Sequence, residues 1–88
     1  MNEVRRSIAV EVRLYGVLRD YYAASELAPH RPFLVDVAAE ANVAEVAAQL
    51  MIPVELVAGV AVNGATADLQ TLLHEGDQVR LFPPSTGG

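Results

Sequence analysis

The chain has 88 residues, a formal net charge of -5 at pH 7 and a hydrophobic content of 52%. This length predicts one small domain, and the acidic balance argues against free nucleic acid as a partner, because phosphate binding requires a basic surface. No run of about 20 apolar residues is present, so we expect no membrane span. The stretch Met1 to Ser7 is polar and lacks the apolar core of a secretory signal, and we therefore expect a cytoplasmic protein.

Two residue types that carry much of enzyme chemistry are missing from the sequence. The chain has no cysteine and no lysine, which excludes thiol nucleophiles, zinc–thiolate sites and Schiff-base chemistry on a lysine. His30 and His74 are each flanked by turn-forming residues, and we expect both to be loop side chains in solvent. The sequence therefore predicts no bound metal, no bound cofactor and no catalytic side chain.

The first part of the chain predicts two strands joined by a short helix. Ile8 to Tyr15 alternates between apolar and polar side chains, which is typical of a strand with one buried face. Gly16 ends that strand. A short helix is predicted over Val17 to Ala24 and a proline-containing loop over Ser25 to Pro32. Phe33 to Val37 alternates again and is the second predicted strand.

The clearest predicted helix follows this second strand. Asn42 is a suitable N-cap residue, and Glu45 lies three residues later, as in a capping box. Pro53 cannot continue the helix. The residues at helical spacing on its apolar face are Val43, Val46, Ala47, Leu50 and Met51. We expect this face to be buried, with Leu50 lying on it beside Val43, Val46 and Ala47.

The last third of the chain predicts short strands and tight turns. One irregular segment or short turn spans Val54 to Gly59, and a strand over Val60 to Val62 leads into Asn63-Gly64, the strongest two-residue signal for a hairpin. The chain returns through Ala65 and Thr66. After that, Leu69, Leu72 and Leu73 are expected to pack a connector, Gly76-Asp77 to form a turn, and Gln78 to Phe82 to form the last strand.

This order of elements predicts an α+β domain with a mixed sheet and one main helix packed on one face. It is the element order of the β-grasp, or ubiquitin-like, fold. A right-handed crossover would place the last strand parallel to the first. We expect the folded domain to span residues 8–82, with a flexible N-terminus over 1–7 and a flexible tail over 83–88.

The residues that carry a family resemblance lie mainly near the C-terminus. They are "AVNG" at 61–64 and "ADLQTLLHEGDQVRLFPPSTGG" at 67–88, together with "VRLYGVLRDYY" at 12–22. These segments resemble the small ubiquitin-like sulfur carriers, in particular the small subunit of molybdopterin synthase. That family ends in a Gly-Asp turn, a strand closing on phenylalanine, two prolines, two variable residues and Gly-Gly. The thiamine-pathway sulfur carriers share the Gly-Gly end but lack the double proline.

The resemblance implies a non-catalytic carrier that works through its C-terminus. An E1-like enzyme would use ATP to form an acyl-adenylate at Gly88, and a sulfur donor would then displace AMP to leave a thiocarboxylate. The large subunit of molybdopterin synthase would receive the sulfur for the cofactor precursor. The tail implied to thread the partner's active site consists of Pro83, Pro84, Ser85, Thr86 and Gly87. Fully extended, the tail to Gly88 would reach roughly 20 Å, and its glycines have no Cβ to fill a narrow channel.

The residues beside this tail are candidates for partner docking. Phe82 is out of phase with Val79 and Leu81, so its ring is expected on the opposite face of the sheet and exposed in the free chain. Arg80, Arg13 and Tyr15 would share that face. Aromatic residues and arginine are frequent among the residues that dominate binding energy at interfaces.

Two other functions remain open at this point. One is a ubiquitin-like modifier conjugated through Gly88 to lysines of other proteins. The other is a sulfur carrier for thiamine or amino-acid biosynthesis. Both would share the fold, the Gly-Gly end and the activating step, and they differ in the acceptor.

Overall fold

The computed structural model describes residues 6–21 and 31–84 of the chain. Its strands are β1 (Ser7–Leu14), β2 (Phe33–Ala38), β3 (Gly59–Val62), β4 (Ala65–Ala67) and β5 (Gln78–Phe82). The α-helix is α1 (Val43–Gln49), and 3-10 helices span Gly16–Tyr21 and Val54–Leu56. Every strand predicted from the sequence is present, and no strand boundary differs from the prediction by more than one residue.

Some sequence predictions fall outside the described residues. They are those for Tyr22 to Ala24 at the end of the short helix, for most of the loop that follows, and for the first residues of the expected N-terminus. The described part of the short helix, Gly16–Tyr21, is a 3-10 helix. Within the two described ranges, no helix combines the length and the apolar character that crossing a membrane would need.

The five strands form one mixed sheet in the order β2-β1-β5-β3-β4. β1 runs parallel to β5 and antiparallel to β2, while β3 is antiparallel to both β5 and β4. The predicted parallel pairing of the first and last strands is therefore confirmed. It places β1 and β5 in the centre of the sheet, where each has a neighbour on both sides.

One face of the sheet and α1 enclose the core. The alternation of β1 and β5 directs Val10, Val12 and Leu14 to the same side as Val79 and Leu81, and all five are buried. Among the described residues, the core contains no buried polar or charged side chain. The other buried residues are Leu18, Val35, Val37, Ala41, Val43, Val46, Ala47, Ile52, Val57, Val60 and Leu73.

The start of α1 is held by a side-chain cap and by the connector before β5. Asn42 Oδ1 accepts a hydrogen bond from the backbone N–H of Glu45 at 3.0 Å, which confirms the predicted N-cap. The free N–H groups of Val43 and Ala44 donate to the carbonyls of Thr71 and Leu69. An antiparallel bridge joins Asn42 to Leu72. The connector thus satisfies backbone donors that every helix N-terminus leaves unpaired.

The same bridge corrects the prediction for Leu72. Neighbouring residues of an extended segment point to opposite sides. Leu73 enters the core, and its N–H donates to the carbonyl of Ala41. Leu72 therefore faces outward, with 57% of its surface exposed. Leu69 is partly buried against the core, as expected for a packed connector.

The end of α1 differs from the helical pattern predicted for it. The helix stops at Gln49, Leu50 is its half-buried C-cap, and Met51 adopts a left-handed conformation with φ +64°. The N–H of Met51 donates to the carbonyl of Ala48, and the N–H of Ile52 donates to that of Ala47. These two bonds form a Schellman motif, which reverses the chain. As a result Met51 is 80% exposed, and Ile52, at 3%, takes the place in the core that the spacing assigned to Leu50 and Met51.

The turn between β3 and β4 is hydrogen-bonded to the turn that precedes β5. Asn63 and Gly64 both have positive φ, +54° and +84°, which is the type I′ geometry predicted for the hairpin. Asn63 also donates from Nδ2 to Asp77 Oδ1 at 2.9 Å and accepts the N–H of Gln78 at 2.9 Å. Its side chain therefore anchors the hairpin turn to the start of β5. The predicted Gly76-Asp77 turn is present, with Gly76 at φ +85°.

The reversal after α1 predicts that truncation of two neighbouring apolar residues will change the free energy of unfolding by very different amounts. We expect Ile52→Ala to lower the free energy of unfolding by roughly 2–5 kcal/mol, because removal of core methyl groups leaves a cavity. Met51→Ala is the matched control, and its effect should stay within about 0.5 kcal/mol, as is usual at the surface. Urea denaturation followed by circular dichroism measures both. Equal losses of stability for the two variants would contradict the placement of this segment.

Candidate functional site

The face of the sheet opposite α1 carries the side chains that alternate with the core. In the parallel register of β1 and β5, Glu11 lies opposite Gln78 and Arg13 lies opposite Arg80. Gln78 and Arg80 are exposed, and Phe82 is half-buried. On β2, Leu34 points to this same face with 72% of its surface exposed. The described residues thus leave one face of the sheet open to solvent.

Two aromatic rings stack where β1 and β5 end. The ring centroids of Tyr15 and Phe82 are 4.5 Å apart, with an angle of 20° between the ring planes. This distance lies in the range of favourable aromatic pairs. On the other side, Phe82 lies opposite Gly59 of β3, and a Cβ built on Gly59 would be 3.5 Å from the Phe82 ring. The Phe82 side chain therefore lies beside Gly59, at a distance where an added Cβ would be in ordinary van der Waals contact with it.

Two guanidinium groups adjoin this stack. The Arg13 Cζ atom lies 5.4 Å from the centroid of the Tyr15 ring, within the range of a cation–π contact. Arg80 is exposed on the neighbouring strand, directly opposite Arg13. Like charges in such cross-strand pairs are unfavourable, and neither arginine forms an ion pair within the described residues. We call Arg13, Tyr15, Arg80 and Phe82 the Arg–aromatic patch; it is a local positive surface on an acidic chain.

The chain leaves the sheet at the edge of this patch. The carbonyl of Leu81 accepts the N–H of Tyr15 at 3.1 Å, and the carbonyl of Phe82 accepts the N–H of Ala58 at 2.8 Å. Pro83 and Pro84 follow and have no N–H group to continue the ladder. Pro83 is half-buried and Pro84 is exposed. The hydrogen-bonded sheet therefore ends at Phe82, beside the aromatic stack.

The structure brings together the four residues predicted for docking, but one expectation about them is wrong. Phe82 was expected to be exposed in the free chain; it is half-buried, because its ring stacks on that of Tyr15 and its side chain lies beside Gly59 of the neighbouring strand. Tyr15 and Arg13 are also half-buried, and Arg80 is exposed. Among the tail residues, Pro83 and Pro84 are described, whereas Ser85, Thr86, Gly87 and Gly88 lie outside the described residues.

Gly59 is a site residue that the sequence reasoning missed. It was assigned to an irregular segment, yet it is the first residue of β3 and pairs directly with Phe82. An available signal was the position of Gly59 one residue before an apolar strand in a chain whose last strand ends in phenylalanine. Glycines in sheets are often covered by an aromatic side chain on the neighbouring strand.

The histidine that the structure describes belongs to a turn. His74 is exposed, and its backbone N–H donates to Asp77 Oδ2 at 2.8 Å, while the other carboxylate oxygen of Asp77 accepts from Asn63. Asp77 is thus occupied by structural hydrogen bonds at both oxygens. Within residues 6–21 and 31–84, no three histidine, aspartate or glutamate side chains cluster in a way that could hold a metal ion. His30 lies outside the described residues.

Comparisons with known proteins bear on the family and the fold. Residues 12–88 match the model of the ThiS family. The solution structure of the HVO 2177 protein of Haloferax volcanii superposes with a TM-score of 0.72 at 21% identity, covering 100% of this chain and 93% of the other. SAMP1 of Haloferax volcanii gives 0.60 at 28% identity, with coverages of 91% and 99%. No curated protein sequence matches the chain.

A further similar structure is a complex. It contains subunits 1 and 2 of the molybdopterin-converting factor of Helicobacter pylori, and its matching chain gives a TM-score of 0.56 at 28% identity, with coverages of 92% of this chain and 100% of that one. Together with the sheet order, these neighbours confirm the ubiquitin-like β-grasp fold expected from the sequence.

The aromatic stack predicts an energetic coupling between the ends of β1 and β5. We expect the double-mutant cycle of Tyr15→Leu and Phe82→Leu to give a coupling of about 0.5–1.5 kcal/mol in the free energy of unfolding, the range of aromatic pairs. Denaturant titrations of the four proteins measure it. Tyr15→Leu combined with Leu72→Ala is the control cycle, and those effects should add within about 0.5 kcal/mol. A Tyr15–Phe82 coupling no larger than the control would contradict the stack.

Proposed function

Because the chain belongs to the ThiS family of ubiquitin-like sulfur carriers and modifiers, we propose that it is a sulfur carrier that acts through the carboxylate of Gly88. In this role the glycine is adenylated by an E1-like enzyme and converted to a thiocarboxylate, which donates sulfur in molybdopterin biosynthesis. The chain itself is not a catalyst; it brings a reactive end group to the active sites of its partners. We assign it no bound cofactor, and ATP is a substrate of the activating partner.

The observation that carries this proposal is the position of the tail. The family match continues through Gly88, and the hydrogen-bonded sheet ends at Phe82, next to the Arg–aromatic patch. A partner that binds this patch therefore holds the start of the tail close to its own surface. The tail from Pro83 to Gly88 can extend roughly 20 Å from there, which is enough to reach a buried active site.

The proposed chemistry asks little of the carrier's side chains. A carboxylate oxygen of Gly88 attacks the α-phosphorus of ATP, and pyrophosphate leaves. A sulfide equivalent from a sulfur donor then attacks the acyl carbon, and AMP leaves with the former carboxylate oxygen, so that a thiocarboxylate remains. The thiocarboxylate sulfur then attacks the precursor and displaces a leaving group, which forms a thioester. Water attacks the acyl carbon of that thioester and the C–S bond breaks, so the sulfur stays on the precursor and the carboxylate is restored. The missing cysteine and lysine do not hinder any of these steps.

The Arg–aromatic patch is the proposed docking surface for both partners. Its stacked rings offer apolar area, and its two arginines, which form no ion pair within the described residues, suit a partner surface that carries carboxylates. A complex of subunits 1 and 2 is known for the Helicobacter pylori factor, which supports a large synthase subunit as one partner here. Because the tail leaves from the edge of a single patch, the E1-like enzyme and the large subunit would compete for it. The carrier would then alternate between them.

The second candidate function is protein modification through Gly88. The similarity to SAMP1 of Haloferax volcanii, at 28% identity, favours it to the same degree as the similarity to the molybdopterin-converting factor. The activating step would be the same, but a lysine amine on another protein would displace AMP and form an isopeptide bond. A third candidate, sulfur transfer for thiamine or amino-acid biosynthesis, differs from the first only in the final acceptor.

Intact mass spectrometry of the protein purified from its own cells separates these candidates. A sulfur carrier should show a species heavier than the free chain by the difference between sulfur and oxygen, located in the C-terminal peptide. A modifier should instead give branched peptides in which Gly88 is joined to a lysine of another protein. Co-purification of a large synthase subunit would favour molybdopterin over the other sulfur acceptors.

Deletion of Gly88 tests the proposed role of the tail directly. We expect the truncated chain to lose ATP–pyrophosphate exchange with the E1-like enzyme of the same organism, because the carboxylate then lies one residue short of the adenylation site. The melting temperature should stay that of the full chain, since the core ends at Leu81. The control is Leu72→Ala, which truncates an exposed side chain away from the patch and should leave exchange intact. Undiminished exchange by the truncated chain would overturn the mechanism.

A further inference from the structure

Gly16 and Pro83 are in such close contact that no residue with a Cβ would fit at position 16 without a shift of the chain. Gly16 follows β1 and opens the first 3-10 helix with φ +57°. A Cβ built on Gly16 would lie 2.7 Å from Pro83 Cγ and 3.5 Å from Pro83 Cδ. The shorter distance is well inside van der Waals contact. The proline ring is closed onto its own backbone, so it cannot rotate away as a flexible side chain could, and relief would require the chain itself to move.

The surroundings of this contact are fixed on both sides. The strand before Pro83 is held by the bond from Tyr15 N–H to the Leu81 carbonyl and by that from Ala58 N–H to the Phe82 carbonyl. On the other side, the carbonyl of Gly16 accepts from Arg19 Nε at 3.2 Å. The adjacent Leu18 is fully buried. The ring of Pro83 thus rests on a rigid surface, at the first position beyond the sheet hydrogen bonds.

The contact lies at the first residue beyond β5, where the direction of the C-terminal tail is set. Pro83 has a fixed φ and no N–H, so the sheet ladder cannot guide the chain beyond Phe82. A residue that precedes a proline is also restricted to extended conformations, which applies to Phe82 and, because Pro84 follows, to Pro83. With these rotations restricted, the place where the Pro83 ring sits determines the direction of the following residues.

We propose that Gly16 is a positioning residue for the C-terminal tail. Because Gly16 has no Cβ, the Pro83 ring packs against its Cα, and this contact sets the direction in which the chain leaves the sheet beside the Arg–aromatic patch. The functional part of this inference rests on the proposed sulfur-carrier role, in which Gly88 must enter a partner's active site. A small displacement at Pro83 is enlarged along an extended tail. Misplacement of a reacting group by about 1 Å can cost on the order of a hundredfold in rate.

The chain offers a matched control for the backbone strain of the obvious variant. Gly16→Ala places a side chain at positive φ and against Pro83. Gly76→Ala places the same side chain at φ +85°, where no atom lies within 4 Å of the new Cβ. Both variants carry the cost of a left-handed alanine, and Gly16→Ala adds the close contact with Pro83, so its loss of stability in melting curves should be at least that of Gly76→Ala. Only Gly16→Ala should disturb the tail.

The direction of the tail can be measured without any partner. Because the chain has no cysteine, Thr66→Cys on the outer side of β4 accepts a single nitroxide label. Broadening of the amide signals of residues 85–88 then reports their average distance from the label. We expect a changed broadening profile for Gly16→Ala and an unchanged one for Gly76→Ala. Pro83→Ala, which removes the ring but leaves Gly16 intact, is a second variant and should also change the profile. Profiles that match the wild type in both Gly16→Ala and Pro83→Ala would overturn the proposal.

The activity arm uses ATP–pyrophosphate exchange with the E1-like enzyme. For Gly16→Ala we expect kcat to fall about tenfold or more, while KM stays within about twofold because the docking patch is intact. A merely destabilised carrier, as in Gly76→Ala, should keep both values. In a Pro83→Ala background the clash with Cγ no longer exists, so Gly16→Ala should add no further loss of kcat. A full further loss there, or a wild-type kcat for Gly16→Ala alone, would refute the positioning role.

The two arms separate this inference from the proposed function. If the wild-type chain supports no exchange, the sulfur-carrier proposal fails, and the nitroxide profiles still decide whether Gly16 directs the tail. If the wild-type chain supports exchange and Gly16→Ala matches it in kcat, the carrier role stands and the positioning role is refuted.

Discussion

The parallel pairing of β1 with β5 is the contact on which the rest of the structure depends. It places two strands that are distant in sequence in the centre of the sheet, where Val12 and Leu14 pack beside Val79 and Leu81 in the core. On the opposite face, the same register sets Arg13 against Arg80 and brings Tyr15 to Phe82. The tail also begins here. Core stability, the patch and the exit of the chain are therefore consequences of one register.

Because side chains alternate along these strands, the residues that stabilise the core differ from the residues that form the patch. Residues of one parity form the core, and residues of the other parity form the patch. A change at Arg80 leaves the buried side chains of β5 in place, and a change at Val79 leaves the patch side chains chemically intact. The exception is Phe82, which belongs to the patch and is nevertheless half-buried beside Tyr15 and Gly59.

Much of the fold could be predicted from the sequence because its local signals agree with its tertiary structure. Alternation located β1, β2 and β5, Asn42 located the start of the helix, and Asn63-Gly64 located the hairpin of β3 and β4. The errors arose where backbone hydrogen bonds ended a local side-chain pattern. Met51 continues the helical spacing, but a Schellman motif reverses the chain there and sends Ile52 inward. Leu72 lies in an apolar connector, but its bridge to Asn42 turns it outward.

The candidate site shows the same division. Arg13, Tyr15, Arg80 and Phe82 could be assigned to one face from period-two alternation alone. The roles of Gly16 and Gly59 could not, because each depends on an atom of a residue far away in the sequence: the Cγ of Pro83 for Gly16 and the ring of Phe82 for Gly59. Because glycine has no side chain, its residue type alone does not predict which distant residue packs against it. Its value becomes visible only when the close approach is seen in three dimensions.

The composite origin of the patch has a consequence for how a partner tells a folded carrier from an unfolded one. Arg13 lies in β1 and Tyr15 directly follows it, whereas Arg80 and Phe82 lie in β5, far away in the sequence. An unfolded or misfolded chain can still present a Gly-Gly end, but it cannot present the four side chains as one surface. In the proposed carrier role, a partner that must bind the patch before the tail enters its active site would therefore accept only folded chains. The activating enzyme would then consume ATP only for chains in which β1 and β5 are paired.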